Sequence, residues 1–508
     1  MMTLAGLILL VLGLMGQLLV GAFFAIVLFR LPDLLVRKSD RQSQTVGGPR
    51  WDLLLNFPIP LSEIAGLGCA LGIGISAWIL FVWSYFGGRL GVFPSGVLAM
   101  CGFAVTGPIL LVRTQDWFRK RASKLTRPIA SSPEQAVCIG CQSMIGILFV
   151  TTLLQTLQTP QKLWDERAIF ALKARVLFED HTIRSEALLH PDFVQYHPRY
   201  PLLLPLAEQN IYALYGMVDD RLSKLIFPLL YMGLVLATAG VLQRHLSRQA
   251  AWIGALLIAT IPVLMPYEYG VFCGQADAPV ACYHGLSLLY LWDALSRHRR
   301  QKSSAASILL AGIFGGFTAF TKDEGIAYLL IDGGILGLFA LCSVGNRQVF
   351  GQSLLGTALF VASAGSILVP WFAHRRSLPM TTEMNYFGRM TLDLFIGRLE
   401  TLRWSVPHLL RRMFWEWREW GLQWWFMVAA FVGWPSRAIQ PPQLLFVLDV
   451  VGSLAALLVA GMLAPAQLDE HIGGSSHRFL MQIAPVAVLF AVTVMFGETD
   501  HGPARENS

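Results

Sequence analysis

Residues 225–242 read LIFPLLYMGLVLATAGVL, a run with no charged side chain, closed by Lys224 on one side and Arg244 just beyond the other. At 1.5 Å of rise per residue, a helix over this run is about 27 Å long, close to the hydrocarbon thickness of a bilayer. Comparable runs continue in both directions along the 508 residues. They place spans near 4–29, 60–84, 92–112, 136–157, 225–242, 251–268, 277–295, 304–320, 325–343, 349–371, 420–434, 444–463 and 479–496. One such run would be an anchor; this many make the bilayer the main solvent. Composition agrees, with 55% hydrophobic and only 14% charged residues and a mean hydropathy of +0.54, outside the range of water-soluble globular chains. The expected fold is all-α: a polytopic transmembrane helical bundle of about thirteen spans, with interfacial helices in its outer loops. Three spans form an N-terminal extension over 1–135, and the main membrane module covers 136–500 with long polar loops at 158–224 and 372–418. The first run, Leu4 to Phe29, has neither the charged start nor the small-residue cleavage site of a secretory signal, and is read as a retained helix.

The net charge of +7 would point to nucleic acid in a soluble protein. In a membrane chain its placement sets orientation instead, and no nucleic-acid partner is expected. Arg37, Lys38 and Arg41 lie between the first two spans, and Arg119, Lys120, Arg121 and Lys124 lie between the third and fourth. Alternation puts Arg244, Arg248, Arg297, Arg299, Arg300 and Lys302 on the same, cytoplasmic side, and leaves the turn from Gly270 to Ala276, which has no Lys or Arg, outside. Seven cysteines make an odd set, mostly inside apolar runs, so no disulfide framework follows. The Cys138–Cys141 pair reads as small apolar side chains of a membrane helix rather than half a zinc site.

Within the first outer loop, Asp165, Ile169, Leu172 and Val176 recur at spacings of four, three and four, as on one face of a surface helix, with Arg167 and Lys173 pointing elsewhere. His190-Pro191 and His197-Pro198-Arg199-Tyr200-Pro201 then break helix, because each proline removes an amide donor and biases the residue before it to extended geometry. The second outer loop ends among Trp404, Trp415, Trp417, Trp420, Trp424 and Trp425 with Arg411, Arg412 and Arg418, a mixture suited to the headgroup level.

Five groups fall on the expected outer face: Trp164-Asp165-Glu166, His197 to Pro201, Gln275-Ala276-Asp277, Thr321-Lys322-Asp323-Glu324-Gly325, and His477-Arg478. Ionisable groups at a membrane interface are costly and often functional. Their order and wording resemble the GT-C superfamily of membrane glycosyltransferases, in particular bacterial members related to protein mannosyltransferases and lipid A aminoarabinose transferases. The matching phrases are Asp165 after a membrane helix, Lys173-Ala174 on the surface helix, Tyr200 to Pro205 (YPLLLP), Ala276-Asp277-Ala278-Pro279, Gly315 to Gly325 with its Thr321-Lys322 and Glu324-Gly325, and Pro370-Trp371. The match covers about residues 136 to 485 and leaves the first three spans as an extension, open to a docking or assembly role.

The resemblance implies an inverting transferase that takes a sugar from a polyprenyl-phosphate carrier and passes it to a glycan, lipid or protein acceptor outside an envelope membrane. That chemistry needs a carboxylate to accept the acceptor's proton and fixed cations to stabilise the departing phosphate. Asp165 is the candidate base, with Glu166 beside it as a second catalytic carboxylate, a solvated neighbour or a metal ligand. Lys322, Arg375, Arg376, His477 and Arg478 are candidates to hold the donor phosphate, and His197, Tyr200, Asp277 and Glu324 to contact substrate. Some family members use a divalent metal such as Mg or Mn, for which Glu166, Asp277 and Glu324 are the possible ligands.

Plainer uses exist for the same residues. Asp165 can cap its helix, Lys322 to Glu324 can be a short polar turn, and His477-Arg478 can snorkel to the interface. His190, His197 and Asp192 have metal-binding side chains at a spacing that fits no helix face. A secondary transporter or lipid flippase is the alternative function, kept open by Asp332 and Asp449 inside spans. A scaffold subunit that kept the fold without activity is a third.

Overall fold

The computed structural model describes residues 4–39, 59–122, 133–265, 270–380, 387–389, 391–464 and 468–497. The basic segments around Arg41 and Lys124 lie outside the described residues. Of the described residues, 83% are helical and none is in a strand. Its main helices are α1 (Leu4–Ser39), α2 (Leu61–Tyr85), α3 (Val92–Ala122), α4 (Pro133–Gln158), α5 (Leu172–Asp180), α6 (Leu203–Tyr215), α7 (Ile226–Gln243) and α8 (Arg248–Ala259). They continue with α9 (Asp277–Arg299), α10 (Ala305–Thr321), α11 (Glu324–Cys342), α12 (Arg347–Arg375), α13 (Leu402–Trp415), α14 (Gln423–Gly433), α15 (Pro441–Leu463) and α16 (Leu468–Met495).

Among the described residues, nine helices are long and apolar enough to cross a membrane, not thirteen. The four expected spans that drop out do so for identifiable reasons. α8 has 12 residues and ends just before Pro262, α14 has 11 and ends just before Pro435, and α10 has 17. α9 is different: its 23 residues suffice in length, but it carries Asp277, His284 and Asp293. A helix surrounded by other helices rather than lipid can hold such groups, and residues 277 to 294 are buried without a break.

Around α9 pack α7, α10 and α16, while α2 packs on α7 and α1. Small residues permit the closest crossings, since a bilayer supplies no hydrophobic drive for helices to associate and close backbone packing replaces it. A Cβ on Gly66 of α2 would stand 2.3 Å from the main-chain nitrogen of Ala237 in α7, and one on Gly21 of α1 equally close to that of Gly72 in α2. The outward helices differ in burial: in α4 only 22% of the apolar window is buried, against 83% in the helix ending at Gln243.

One end of α9 is closed by a buried charge network. Arg244 of the α7–α8 turn reaches Glu63 of α2 at 3.0 Å and Asp293 at 3.2 Å. His245 and Arg297 hold Asp293 at 2.6 and 3.0 Å, and Ser307 of α10 donates to it. The other end of α9 begins at Asp277, about 24 Å away along the helix axis.

Candidate functional site

Asp277 sits in the first turn of α9, fully buried, with N–H donors converging on both oxygens. Oδ1 accepts from Lys322 Nζ at 2.9 Å and from Gln482 Nε2 at 2.8 Å; Oδ2 accepts from Arg478 Nε at 2.9 Å and lies 2.8 Å from Arg478 Nη2. Lys322 reaches it because the chain leaves α10 in extended geometry at that residue and re-enters helix at Glu324. The turn closes tightly over α10. A Cβ on Gly325 would meet the Thr318 carbonyl oxygen at 2.3 Å, so glycine is required there.

The network grows outward from Asp277. Lys322 Nζ also lies 2.9 Å from Glu324 Oε1, and Arg478 Nη2 lies 2.8 Å from Asp165 Oδ2. Burial works against the charge on Lys322, but Asp277 and Glu324 hold its ammonium above the ordinary lysine range. Asp165, Arg478, Asp277, Lys322 and Glu324 thus form a chain of alternating sign, with Asp165 at its accessible end, 26% exposed at the side chain. Gln482 extends it into the bundle, accepting from the Tyr328 hydroxyl at 2.8 Å.

Asp165 arrives on a surface segment that is not the α-helix its spacing predicts. Residues Asp165–Ala171 form a π-helix, in which the Leu172 amide bonds the Arg167 carbonyl, and α5 follows. The wider turn shifts every later position around the axis. The buried face therefore carries Glu166, Ile169, Phe170, Lys173, Ala174 and Leu177, and packs on α6. Lys173, expected to point away, is buried; Asp165 caps nothing and pairs with Arg478 instead.

Glu166 is likewise not a solvated neighbour. Its Oε2 accepts from the main-chain amides of Lys162 and Leu163 at 2.7 and 3.0 Å, and its Oε1 from Gly274 at 2.6 Å. It ties the approach to Asp165 to the loop before α9, and a Cβ on Gly274 would press against its side chain at 2.9 Å.

A second patch adjoins the first through Asp323, which lies between Lys322 and Glu324 in sequence. Arg375 grips Asp323 with both guanidinium tips, Nη1 to Oδ1 at 3.0 Å and Nη2 to Oδ2 at 2.8 Å. Arg199 donates to the Arg375 carbonyl at 3.4 and 3.2 Å. Lys173 Nζ donates to the His197 carbonyl at 2.6 Å and stands 5.5 Å from the centre of the Tyr200 ring, on which the His197 imidazole stacks. Burial pushes the Lys173 ammonium down to about 7. His197 takes a left-handed conformation (φ 51°), which turns the chain into the proline-bounded loop before α6.

Of the sequence candidates, Asp165, Asp277, Lys322, Glu324 and Arg478 therefore meet in one network, and His197, Tyr200 and Arg375 in its neighbour. His477 lies at the edge, where Arg412 of α13 approaches its Nδ1 at 3.1 Å. Arg376 is exposed, and the described ion pairs do not include it. The possible metal ligands do not fit a metal: Glu166 is occupied by three amides, and Asp277 and Glu324 by cations. Gln482, Tyr328, Arg199 and Asp323 were not singled out as site residues from the sequence. Gln482 had a signal, standing four residues after Arg478 on the same helical face.

Of the tryptophans near the second outer loop, Trp404, Trp415, Trp417 and Trp425 are exposed, while Trp420 and Trp424 are buried. No protein-family model and no curated protein matches the chain. The fold and site by themselves define a class: an all-helical chain of many membrane-length helices, with an ionised cluster gathered at one end of a helix buried from Asp277 to Ala294.

Proposed function

We propose that this protein is an inverting glycosyltransferase of the GT-C type, acting on a polyprenyl-phosphate sugar at the outer face of a bacterial cytoplasmic membrane. The observation that carries the reading is a convergence: Asp165, Asp277 and Arg478, drawn from three distant parts of the chain, share one guanidinium nitrogen at 2.8 Å. A lipid-linked sugar presents its anomeric carbon and phosphate together at the membrane interface, where such a cluster is useful. The acceptor hydroxyl oxygen forms the new bond to the anomeric carbon, and Asp165 takes its proton. The bond from that carbon to the phosphate oxygen breaks, and its electron pair leaves with the phosphate. Arg478 and Lys322 stabilise that growing charge by shifting from their carboxylate partners toward it.

Mass spectrometry of envelope lipids and glycans from cells with and without the protein tests the proposal. A sugar missing from one acceptor is expected, with purified protein in liposomes restoring it from a polyprenyl-phosphate donor. An unchanged glycan profile and no transfer by the purified protein would refute it. A transporter or flippase is the second reading, favoured by the buried polar group of His284, Asp332 and Asp449 inside α9, α11 and α15. Donor consumption without solute flux separates the two.

A further inference from the structure

Asp332 and Asp449 meet His284 deep in the bundle, away from the cluster at Asp277. All three are buried, at 1%, 0% and 1% exposure, and one ligand atom from each lies within 4.8 Å of the others. His284 Nδ1 stands 3.4 Å from the Gln482 main-chain carbonyl, to which only an N–H can bond. In a neutral imidazole held in this way Nε2 carries the lone pair, and it faces Asp449 Oδ1 at 3.2 Å, where an imidazolium would instead form an ion pair. Ser287 donates to Asp332 Oδ2 at 3.2 Å and fixes that carboxylate from behind. The remaining oxygens, Asp332 Oδ1 and Asp449 Oδ2, are buried without a donor from any other residue. Among the described residues, no Lys or Arg bonds either carboxylate.

Three metal-ligating side chains thus face one another, and His284 is the one group among the described residues that could supply a positive charge to either carboxylate. Two carboxylates in such a setting cost several kcal/mol each unless a proton or a metal ion neutralises them. We propose that His284, Asp332 and Asp449 bind one divalent transition-metal ion of the zinc type. Three features favour a metal. Two ligands at about 2.1 Å from a tetrahedral ion stand about 3.4 Å apart, close to the Nε2 to Oδ1 separation. An imidazole whose other nitrogen is held by a main-chain carbonyl is the usual arrangement of a metal-ligating histidine. Two carboxylates neutralise a divalent ion, so the loaded site carries no net charge into the membrane interior. The donor set favours zinc over magnesium and calcium, because one of its three ligands is an imidazole nitrogen and those ions prefer oxygen.

The ion would join α9, α11 and α15 at one point. It would also steady Gln482, whose carbonyl meets His284 and whose side chain holds Asp277 at 2.8 Å. Tyr328 supports the same residue, stacking on the His284 ring at 4.4 Å while bonding Gln482 through its hydroxyl.

The test uses the full chain in detergent or nanodiscs, stripped with a chelator and re-equilibrated with micromolar zinc or cobalt. Both the test protein and its variants carry His190→Ala, because His190 and Asp192 form an exposed pair that could bind metal adventitiously. About one zinc per chain is expected by elemental analysis, with cobalt giving the visible bands of a low-coordinate nitrogen and oxygen site. Affinity should fall at least about 100-fold in His284→Gln and in Asp449→Asn, and about 10-fold in Tyr328→Phe, which alters only the support. A protein with native His284, Asp332 and Asp449 that takes up neither metal overturns the proposal without recourse to any ligand variant, leaving a shared proton as the occupant. Undiminished uptake by a monodisperse His284→Gln protein overturns it equally.

Discussion

Replacing Asp277 by asparagine keeps the shape of the side chain and removes its charge from the centre of the ion-pair network. Whichever way the amide turns, its NH2 meets either Lys322 and Gln482 or the Arg478 fork, so one pair of donor contacts becomes donor against donor. A hydrogen bond between charged groups contributes about 1.5 to 3 kcal/mol, and opening a buried pair costs about 3 to 5 kcal/mol. Here the lower end applies, because Lys322 keeps Glu324 and Arg478 keeps Asp165. A loss of about 3 kcal/mol is therefore expected. With an unfolding entropy of about 2.1 cal/mol/K per residue over the whole chain, this corresponds to a fall in Tm of about 3 °C. Tryptophan fluorescence during thermal unfolding in detergent measures it. Lys322→Met should be costly in the native background and markedly less so beside Asp277→Asn, since it then removes an ammonium that has lost its main partner. A Tm unchanged in Asp277→Asn, or an equal cost of Lys322→Met in both backgrounds, would refute the claim that Asp277 organises the cluster.

Asp165→Asn should lower sugar transfer by roughly 100- to 10,000-fold while the protein still elutes as folded, because it removes a proton acceptor from an accessible position; wild-type turnover would leave Asp165 only its ion pair with Arg478. Arg478→Ala should reduce catalytic efficiency about 10- to 150-fold, and Arg478→Lys should recover only part, since one ammonium can stand in for Nη2 between Asp165 and Asp277 but cannot add the second bond that Nε makes to Asp277; full rescue by lysine would remove the two-nitrogen grip from the mechanism. For Lys173 the folded state disfavours the charged form, so its burial penalty is complete below about pH 7 and relieved as pH rises toward the unfolded value near 10.5. Between pH 7 and 10 the native protein should therefore gain stability relative to Lys173→Met, and parallel pH curves for the two would contradict that burial.

Residues brought together by the fold were legible in sequence where a charge interrupted an apolar run. Asp277, Lys322, Glu324 and Arg478 were visible this way, because a charged group near the end of a membrane-length helix is conspicuous against its neighbours. Lys173 was placed on the wrong face. The reading assumed α-helical spacing across Asp165–Ala171, and a π-helix leaves no periodic trace in seven residues. Glu166 was misjudged for another reason: its partners are main-chain amides, which every sequence supplies and none advertises. The count of thirteen spans is not confirmed where burial by protein replaces burial by lipid, as in α9, where α8 stops after 12 residues ahead of Pro262, and where the runs at 304–320 and 420–434 form helices of only 17 and 11 residues.

The sequence by itself determined that this chain is helical and mostly membrane-embedded in character, since uncharged runs of spanning length admit little else. It also marked where ionised groups interrupt those runs. Only the tertiary structure decided which of these groups meet: that Arg478 joins Asp165 to Asp277, that Arg375 is occupied by Asp323, and that His284, Asp332 and Asp449 close on one point. The physical reason is that hydrophobicity is a property of each segment read alone, whereas an ion pair is a property of how segments are rotated and crossed. Those rotations follow from side-chain packing between helices far apart in the chain.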